Sequence, residues 1–379
     1  MYSESGRRGE MDDCCEIGCA VTPPESDVAA NRRLHFLARA RRREAGMSSA
    51  SFARATASPR RVLPPRARAS RRPSPRVARA SAEGREALAS ASSPRELVFT
   101  YLGGNGWRVH FPRARARVLC DPWLVGDLTF WNLPALYVGR GPHVADRLDA
   151  DADEVILEAD ACDLLLLSQG WDDHAHRPTL RALRKDIPVV ASPAAASVAR
   201  RLGFRDVREA RDGDRVEVAG VTVTVAAGAS VGPPWSAREA AFIIVEGNVE
   251  RPVSNPLRVY YEPHCSYDAR SVAEAVRRAG GAVDVAVTPA ANVAAAGFPL
   301  VRAGDAAAEL YETLGRPAVI VPLRNGELEQ TGFASRVVRT EGDGGGEEII
   351  AAVAKKSAPG TTPPRIVNPS TRKPVVIQP

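Results

Sequence analysis

The sequence predicts a mixed α/β (α+β) protein, because strand-length and helix-length segments follow one another in an uneven order. A β-rich part that starts near Arg95 is followed by strand–helix alternation, then by β-hairpins, and then by strand–helix alternation again. A single parallel sheet would need one continuous β-α-β series, which this order excludes. The hydrophobic fraction of 44% and the charged fraction of 25% are those of an ordinary globular protein.

The first predicted elements are three strands. Gly103–Gly106 is a tight-turn signal between the strands Arg95–Tyr101 and Trp107–Phe111, and Arg117–Asp121 is the third strand. The glycines do not lead into a helix, so a dinucleotide-binding loop is excluded. Residues 127–160 are expected to form a loop, first aromatic and then acidic, that walls a pocket or lies on the surface.

The later elements are predicted from apolar runs bounded by Pro, Gly and Asp. The predicted strands are 164–167, 188–191, 215–218, 221–226, 240–245, 257–261, 283–288 and 318–321, and the predicted helices are 178–185, 194–203, 268–278, 305–314 and 347–355. We expect the body to span residues 95–356 and the Pro-rich tail 357–379 to be loosely ordered.

The N-terminal quarter differs in composition from this body. Residues 1–97 carry 19 Arg and 11 acidic residues, whereas the remainder carries 32 basic and 34 acidic residues, so the net charge of +6 resides in the extension. Residues 47–82 contain nine Arg and no Asp, Glu or Lys among many Ser, Ala and Pro. This composition predicts a transit peptide for the chloroplast stroma or, alternatively, the mitochondrion. Residues 1–46 are interpreted as a disordered gene-model extension before a true start at Met47.

Other classes are disfavoured. An Arg-rich arm for nucleic acid would lack aromatic residues between its basic ones, and the near-neutral body offers no basic face, so no nucleic-acid partner is expected. No run approaches 18 apolar residues, so no membrane span is expected. The six cysteines, three clustered before residue 20 and three scattered singly, predict reduced thiols rather than a disulfide framework.

The most informative stretch is Leu164–His176, where a four-leucine strand ends in Ser-Gln-Gly-Trp-Asp-Asp-His-Ala-His. Ligands gather where buried strands end. The polar part resembles the metal-binding loop of the metallo-β-lactamase superfamily, Ser-His-x-His-x-Asp-His. Asp173 and His174 match this pattern, whereas Gln169 and Trp171 stand in place of the two earlier histidines.

Other family landmarks are altered too. In Tyr260-Tyr261-Glu262-Pro263-His264, His264 takes the place of the metal-bridging Asp. Arg324 or Asn325 replaces a later His, and residues 226–230 contain no histidine. The Asp121-Pro122-Trp123 segment resembles the lactonase-like branch. Together with Leu-Ser-Gln-Gly, these motifs resemble a plastid and cyanobacterial-type, metallo-hydrolase-like subgroup with a degenerate metal motif.

The resemblance covers roughly residues 97–354 and implies a four-layer αββα sandwich in which two mostly antiparallel sheets pack between helices. It also implies that the dinuclear metal site is eroded, because all three histidines of its first half are absent. On donor count, Asp173, His174 and His264 would hold one divalent metal, Zn²⁺ or Fe²⁺. Asp173, Glu262 as general base and Gln169, which would orient substrate or water, are the candidate catalytic residues.

Simpler roles remain open for the same residues. His264 could hydrogen-bond Asp173 rather than a metal, and Glu262 could form a salt bridge with Arg324. Asp121 could cap its loop and Trp171 could line a pocket, and His176 is a weaker ligand candidate than His174. His110 and His143 are expected to be ordinary histidines.

Two functions are therefore expected as alternatives. The first is a plastid metal-dependent hydrolase of an ester, lactone or phosphoester, with one metal-activated water. The second is a non-catalytic scaffold of the same fold that binds a small molecule or a protein and needs no metal.

Overall fold

The computed structural model of the protein describes residues 94–141, 144, 156, 158–230, 238–324, 327–342, 344–356 and 362–379. The chain divides into two units, Met1–Arg71, which lies outside the described residues, and Arg72–Pro379. The predicted extension 1–46 and transit peptide 47–82, together with His143 and Asn325, also lie outside them. Within the described part, no helix combines the length and the apolar character needed to cross a membrane.

The secondary structure consists of strands interspersed with short helices. The strands are β1 Leu97–Gly103, β2 Gly106–Phe111, β3 Ala116–Cys120, β4 Val138–Arg140, β5 Leu164–Leu167, β6 Val189–Ala191, β7 Val207–Glu209, β8 Arg215–Val218, β9 Val221–Ala227, β10 Ala240–Glu246, β11 Arg258–Tyr261, β12 Val285–Pro289, β13 Asn292–Ala295, β14 Phe298–Val301, β15 Val319–Leu323, β16 Glu329–Thr331, β17 Val338–Glu341, β18 Arg365–Ile366 and β19 Pro374–Ile377. The helices are α1 Arg177–Ala182, α2 Pro193–Arg201, α3 Ala269–Arg278, α4 Asp305–Thr313 and α5 Glu347–Lys356, with 3₁₀ turns at Phe130–Asn132 and Ala334–Val337.

Two seven-stranded sheets form the centre of the fold. Their orders are β19-β1-β2-β3-β5-β6-β7 and β18-β15-β12-β11-β10-β9-β8. The expectation of mostly antiparallel sheets is wrong. In each sheet one half is antiparallel and the other, β3-β5-β6-β7 or β11-β12-β15-β18, is parallel. Helical crossovers such as α2 and α3 join successive parallel strands, as parallel pairing requires.

Apolar side chains fill three layers, which confirms the predicted αββα sandwich. Phe99, Trp107 and Phe242 belong to the core between the sheets, and further cores lie under α1 and α2 and under α3, α4 and α5. The four-leucine strand β5 shows why its sequence is continuously apolar. Leu164 and Leu166 face the central core, whereas Leu165 and Leu167 face the helices, so every residue is buried.

The C-terminal tail contradicts the expectation of loose order. Strand β19 pairs antiparallel with β1, and β18 pairs parallel with β15, so the tail closes one edge of both sheets. Pro374 begins its strand, where a missing N–H is tolerated, and Ile377 is fully buried between the sheets. The three described cysteines, Cys120, Cys162 and Cys265, are buried and free, in accord with reduced thiols.

This tail generates a stability prediction. Ile377→Ala is expected to lower the free energy of unfolding by about 2–5 kcal/mol, because it empties a fully buried site. The control is Val376→Ala, since the neighbouring Val376 is 55% exposed on the opposite face of β19 and its replacement should change stability by less than about 0.5 kcal/mol. Urea unfolding measures both. Equal effects of the two substitutions would contradict the placement of β19.

Candidate functional site

A buried carboxylate, Asp121, joins the two sheets at the ends of their central strands. Asp121 follows β3 and accepts hydrogen bonds from the backbone N–H of Ser168 at 2.8 Å, from the Ser168 hydroxyl, and from the Tyr261 hydroxyl of β11 at 2.7 Å. Its Oδ2 also lies 2.7 Å from His174 Nδ1. Asp121 is therefore more than a loop cap: it fixes the position of a histidine from the predicted site.

The loop after β5 is held in one conformation by close backbone packing. A Cβ atom at Gly170 would lie 3.0 Å from the backbone of Ala194, so this position accepts no larger residue without movement. The carbonyl of Trp171 accepts hydrogen bonds from the N–H groups of His174 and Ala175. This turn directs His174 back towards the end of β5.

The outward nitrogen of His174 faces three polar side chains. His174 Nε2 lies 3.1 Å from Asp173 Oδ2, 2.7 Å from Gln169 Nε2 and 3.0 Å from Asn105 Nδ2. His174 is fully buried, whereas the Asp173 side chain is 30% exposed. Asp173 therefore connects the buried imidazole of His174 to the protein surface.

His264 forms a second imidazole–carboxylate group next to the first. Its Nδ1 lies 3.3 Å from Glu239 Oε2 and 3.7 Å from Glu262 Oε1. The ring centroids of His264 and His174 are 5.2 Å apart, and the Gln169 amide nitrogen, already beside His174, lies 3.2 Å from His264 Nε2. His264 thus pairs with Glu239 rather than with Asp173.

We call these residues the charge network. Its members are Asp121, Gln169, Asp173, His174, Glu239, Glu262 and His264. Carboxylates flank both histidines, so each imidazole is stabilised in its protonated form.

The pKa directions follow from burial opposed by these pairs. Burial lowers the pKa of His174, but the carboxylates of Asp173 and Asp121 outweigh burial and raise it well above 6.5. Burial also opposes protonation of His264, yet Glu239 and Glu262 raise its pKa to about 9. Burial raises the pKa of Asp173, while His174 and His264 lower it below its usual value overall. Burial raises the pKa of Glu239.

Protonated histidines determine how the Gln169 amide is best oriented. With its nitrogen towards His174 and His264, the amide sets a donor against two imidazolium donors, and its buried Oε1 has no hydrogen-bond partner among the described residues. Rotating the amide by 180° lets Oε1 accept from both rings and satisfies the unpaired atom. Hydrogen bonding decides between the two ends of a carboxamide, because they are nearly identical in shape.

The predicted metal ligands come close together without forming a three-ligand site. Asp173 and His174 are in contact, but Gln169 lies between His174 and His264. Across the described ranges, no three His, Cys, Asp or Glu side chains converge as metal ligands would. The described arrangement therefore does not fit a three-donor metal, and the assignment of Asp173, His174 and His264 as ligands stays a prediction.

The remaining predicted residues have structural contacts. Glu262 is buried beside His264 and accepts a hydrogen bond from the Ser266 N–H at 3.3 Å, so it supports His264 and has no open face for a substrate. The suggested Glu262–Arg324 bridge is wrong, because Arg324 pairs with Glu327 at 3.5 Å.

His176, the weaker ligand candidate, has a helix-capping role. It is the N-cap of α1, where its side chain accepts a hydrogen bond from the Thr179 N–H. Its orientation is therefore explained by the start of the helix.

Sequence reasoning missed Glu239. This residue directly precedes β10 and forms paired backbone hydrogen bonds with Gly228 and Ala229, in the segment that lacks the expected histidine. An acidic residue at the start of an apolar strand was its only signal, because the contact with His264 joins distant parts of the chain.

The raised pKa of His264 generates a pH prediction. A histidine whose folded pKa, about 9, exceeds its unfolded value of 6.5 stabilises the fold fully below pH 6.5 and loses that contribution as pH rises through 9. The difference in unfolding free energy between the wild type and His264→Gln should therefore shrink between pH 6.5 and 9.5. Chemical denaturation at several pH values measures it, and a difference that grows with pH would contradict the charged pair.

Comparisons with known proteins agree with this architecture. The profile of the Beta-lactamase superfamily domain matches residues 98–324. The fold is similar to a possible metal-dependent hydrolase from Veillonella parvula DSM 2008, with a TM-score of 0.50, 13% identity, and coverage of 75% of this chain and 99% of that one. An isothiocyanate hydrolase from Delia radicum gut bacteria also has a TM-score of 0.50 at 13% identity, with coverage of 74% and 99%.

No curated protein matches the chain. At this level of identity the two solved structures show the fold alone, whereas the profile covers more than half of the chain and includes the loop after β5. The sequence, the αββα sandwich and the profile lead to one assignment: the chain belongs to the metallo-β-lactamase superfamily.

Proposed function

We propose that the protein is a hydrolase of neutral carboxylic esters or lactones that uses its own carboxylate and imidazole groups. The observation that carries this proposal is the partly exposed carboxylate of Asp173 in contact with the buried, doubly paired His174. The charge network lies at the ends of β3, β5 and β11, which is the edge of the sandwich where the sequence predicted a site. A base must be ionised and must reach the water it activates, and Asp173 meets both conditions because its pKa is lowered and its side chain is partly exposed.

Electrostatics select among the three substrate classes expected from the sequence. The charge network contains four carboxylates and two imidazolium groups, which leave a net charge of −2 when all are ionised. The net negative charge of this network would repel a phosphoester anion. It would not repel a neutral ester or lactone carbonyl, so these classes are favoured.

The residues can share one hydrolytic step. Asp173 takes a proton from water while the water oxygen bonds to the acyl carbon, and the positive field of the buried His174 and His264 imidazolium groups stabilises the oxygen anion that develops on the former carbonyl. The acyl C–O bond then breaks, and the leaving alkoxide takes the proton back from Asp173, which restores the carboxylate. Gln169 holds the two imidazoles at their spacing. No step is assigned to a metal, because the described donors do not form a three-ligand site.

The predicted transit peptide adds a cellular location to this proposal. The Arg-rich, acid-free composition of residues 47–82 supports import into the chloroplast stroma, with the mitochondrion as the alternative.

A non-catalytic binding protein is the second candidate. It is favoured by the burial of Asp121, Gln169, His174 and Glu262, whose polar groups contact other side chains and backbone atoms of the protein. A cleft of this kind could bind a ligand without transforming it.

The two candidates differ in hydrolysis of simple neutral substrates. Asp173→Asn should lower kcat/KM for 4-nitrophenyl acetate or for γ-butyrolactone by about 10²-fold or more, because it removes the base. The matched control is Asp163→Asn, since Asp163 is 34% exposed in a surface ion pair with Arg117 and should be replaceable without loss. Wild-type activity that survives Asp173→Asn would contradict the catalytic role, and an inactive wild type would favour the binding protein.

A further inference from the structure

We infer that four aromatic side chains beside Asp173 form a binding site for an organic cation, so that the substrate is an ester or lactone that carries an alkylated ammonium group. The aromatic cluster consists of Phe130, Trp131, Tyr137 and Trp171. The reaction rests on the proposed function, whereas cation binding can be tested without turnover.

The rings of the aromatic cluster are inclined to one another instead of stacked. The Trp131 and Trp171 centroids are 5.6 Å apart with an interplanar angle of 84°, and Phe130 lies 6.3 Å from Trp171 at 80°. Phe130 also contacts Tyr137 at 5.3 Å. At these distances the rings pack against one another and hold the largely exposed Trp131 indole in place, and the negative face of an aromatic ring attracts an ammonium group.

Folding alone does not explain the placement of Trp131. Its side chain is 65% exposed, although an indole is among the most apolar groups in the chain. Trp131 adopts a left-handed backbone conformation, with a φ value of 53°, which bulky residues disfavour, whereas the neighbouring Asn132, at 58°, belongs to a residue type that adopts it more readily. A strained backbone that presents an exposed indole is the arrangement found where a protein contacts a ligand.

The aromatic cluster is continuous with the charge network. Trp171 lies two residues before Asp173, and its carbonyl fixes the turn that positions His174. Burial and the Asp173 carboxylate together raise the pKa of Tyr137 to about 12, so these two side chains are within electrostatic reach. A ligand held by the rings would therefore lie against the carboxylate proposed to activate water.

Charge favours a cation over other occupants of the aromatic cluster. Asp172 and Asp173 lie on the same loop as Trp171, and the Asp172 carboxylate is paired with Arg177. Asp173 remains 30% exposed and adds to the negative charge of the cleft. A neutral apolar group would gain ring contacts alone, whereas an ammonium group would gain ring contacts and the field of Asp173.

The test compares choline with 3,3-dimethylbutan-1-ol, which replaces the charged nitrogen by carbon at nearly unchanged shape. Titration calorimetry on the full chain should show choline binding about tenfold more tightly, as expected for a cation over several ring faces. Trp131→Ala should weaken choline binding by at least about fivefold, and Trp131→Phe should restore part of it. Phe298→Ala is the control, because Phe298 is an exposed ring, at 74%, on the β13–β14 hairpin.

Three results would overturn the inference. Equal affinity for the two alcohols would identify an apolar site without cation selectivity. Unchanged choline binding in Trp131→Ala would place any binding elsewhere. A dimer that Trp131→Ala converts to a monomer, with no choline binding by either form, would make the aromatic cluster a self-association surface. Failure of the proposed hydrolysis is distinguishable, because it would appear in the Asp173→Asn kinetics while choline binding persisted.

Discussion

The buried pair of Asp121 and His174 is the constraint on which the site depends. Both side chains are excluded from solvent and lie 2.7 Å apart, so each would be unfavourable there without the other. Asp121 receives its other hydrogen bonds from Ser168 and Tyr261, which lie on or next to strands of opposite sheets. The carboxylate that orients His174 therefore also connects the two sheets of the sandwich.

Direct contacts connect the rest of the charge network to this pair. His174 faces Asp173 and Gln169, Gln169 reaches His264, and His264 is held by Glu239 and Glu262. The resemblance to the metallo-β-lactamase superfamily implies metal ions at this position, and their positive charge would balance the negative charge of the carboxylates. In this arrangement the carboxylates raise the pKa of both imidazoles, whose protonated forms balance part of that negative charge, and the Gln169 amide lies between the two rings. We therefore interpret the altered motif as a coordinated exchange of metal ligands for a protonated network.

Local sequence signals were sufficient for the elements that place the site. The leucine run predicted β5, the predicted helix 194–203 overlaps α2, and the predicted strands 215–218 and 221–226 match β8 and β9. The superfamily motif predicted that Asp173, His174 and His264 lie near one another. These features depend on residues close in sequence or on a short pattern, which is why a single sequence reveals them.

Contacts between distant segments were not predictable in the same way. Glu239 reaches His264 only because β10 and β11 pair, and the Pro-rich tail becomes ordered only because β1 and β15 present open edges to it. The position of Arg324 away from Glu262 has the same origin in part, since Arg324 donates a hydrogen bond to the backbone carbonyl of Pro369 in the tail at 3.2 Å. From composition alone such residues are predicted only to be polar or loosely ordered, because their contacts form in the folded chain.

The central claim is that contacts among the chain's own side chains hold the charge network together. Metal analysis of protein produced with Zn²⁺ and Fe²⁺ in the medium, combined with melting in the presence and absence of a chelator, tests it most directly. The account predicts less than about a tenth of an equivalent of metal and an unchanged Tm. About one equivalent that is lost in the His174→Ala, His264→Ala double variant, with a Tm that falls on chelation, would contradict it.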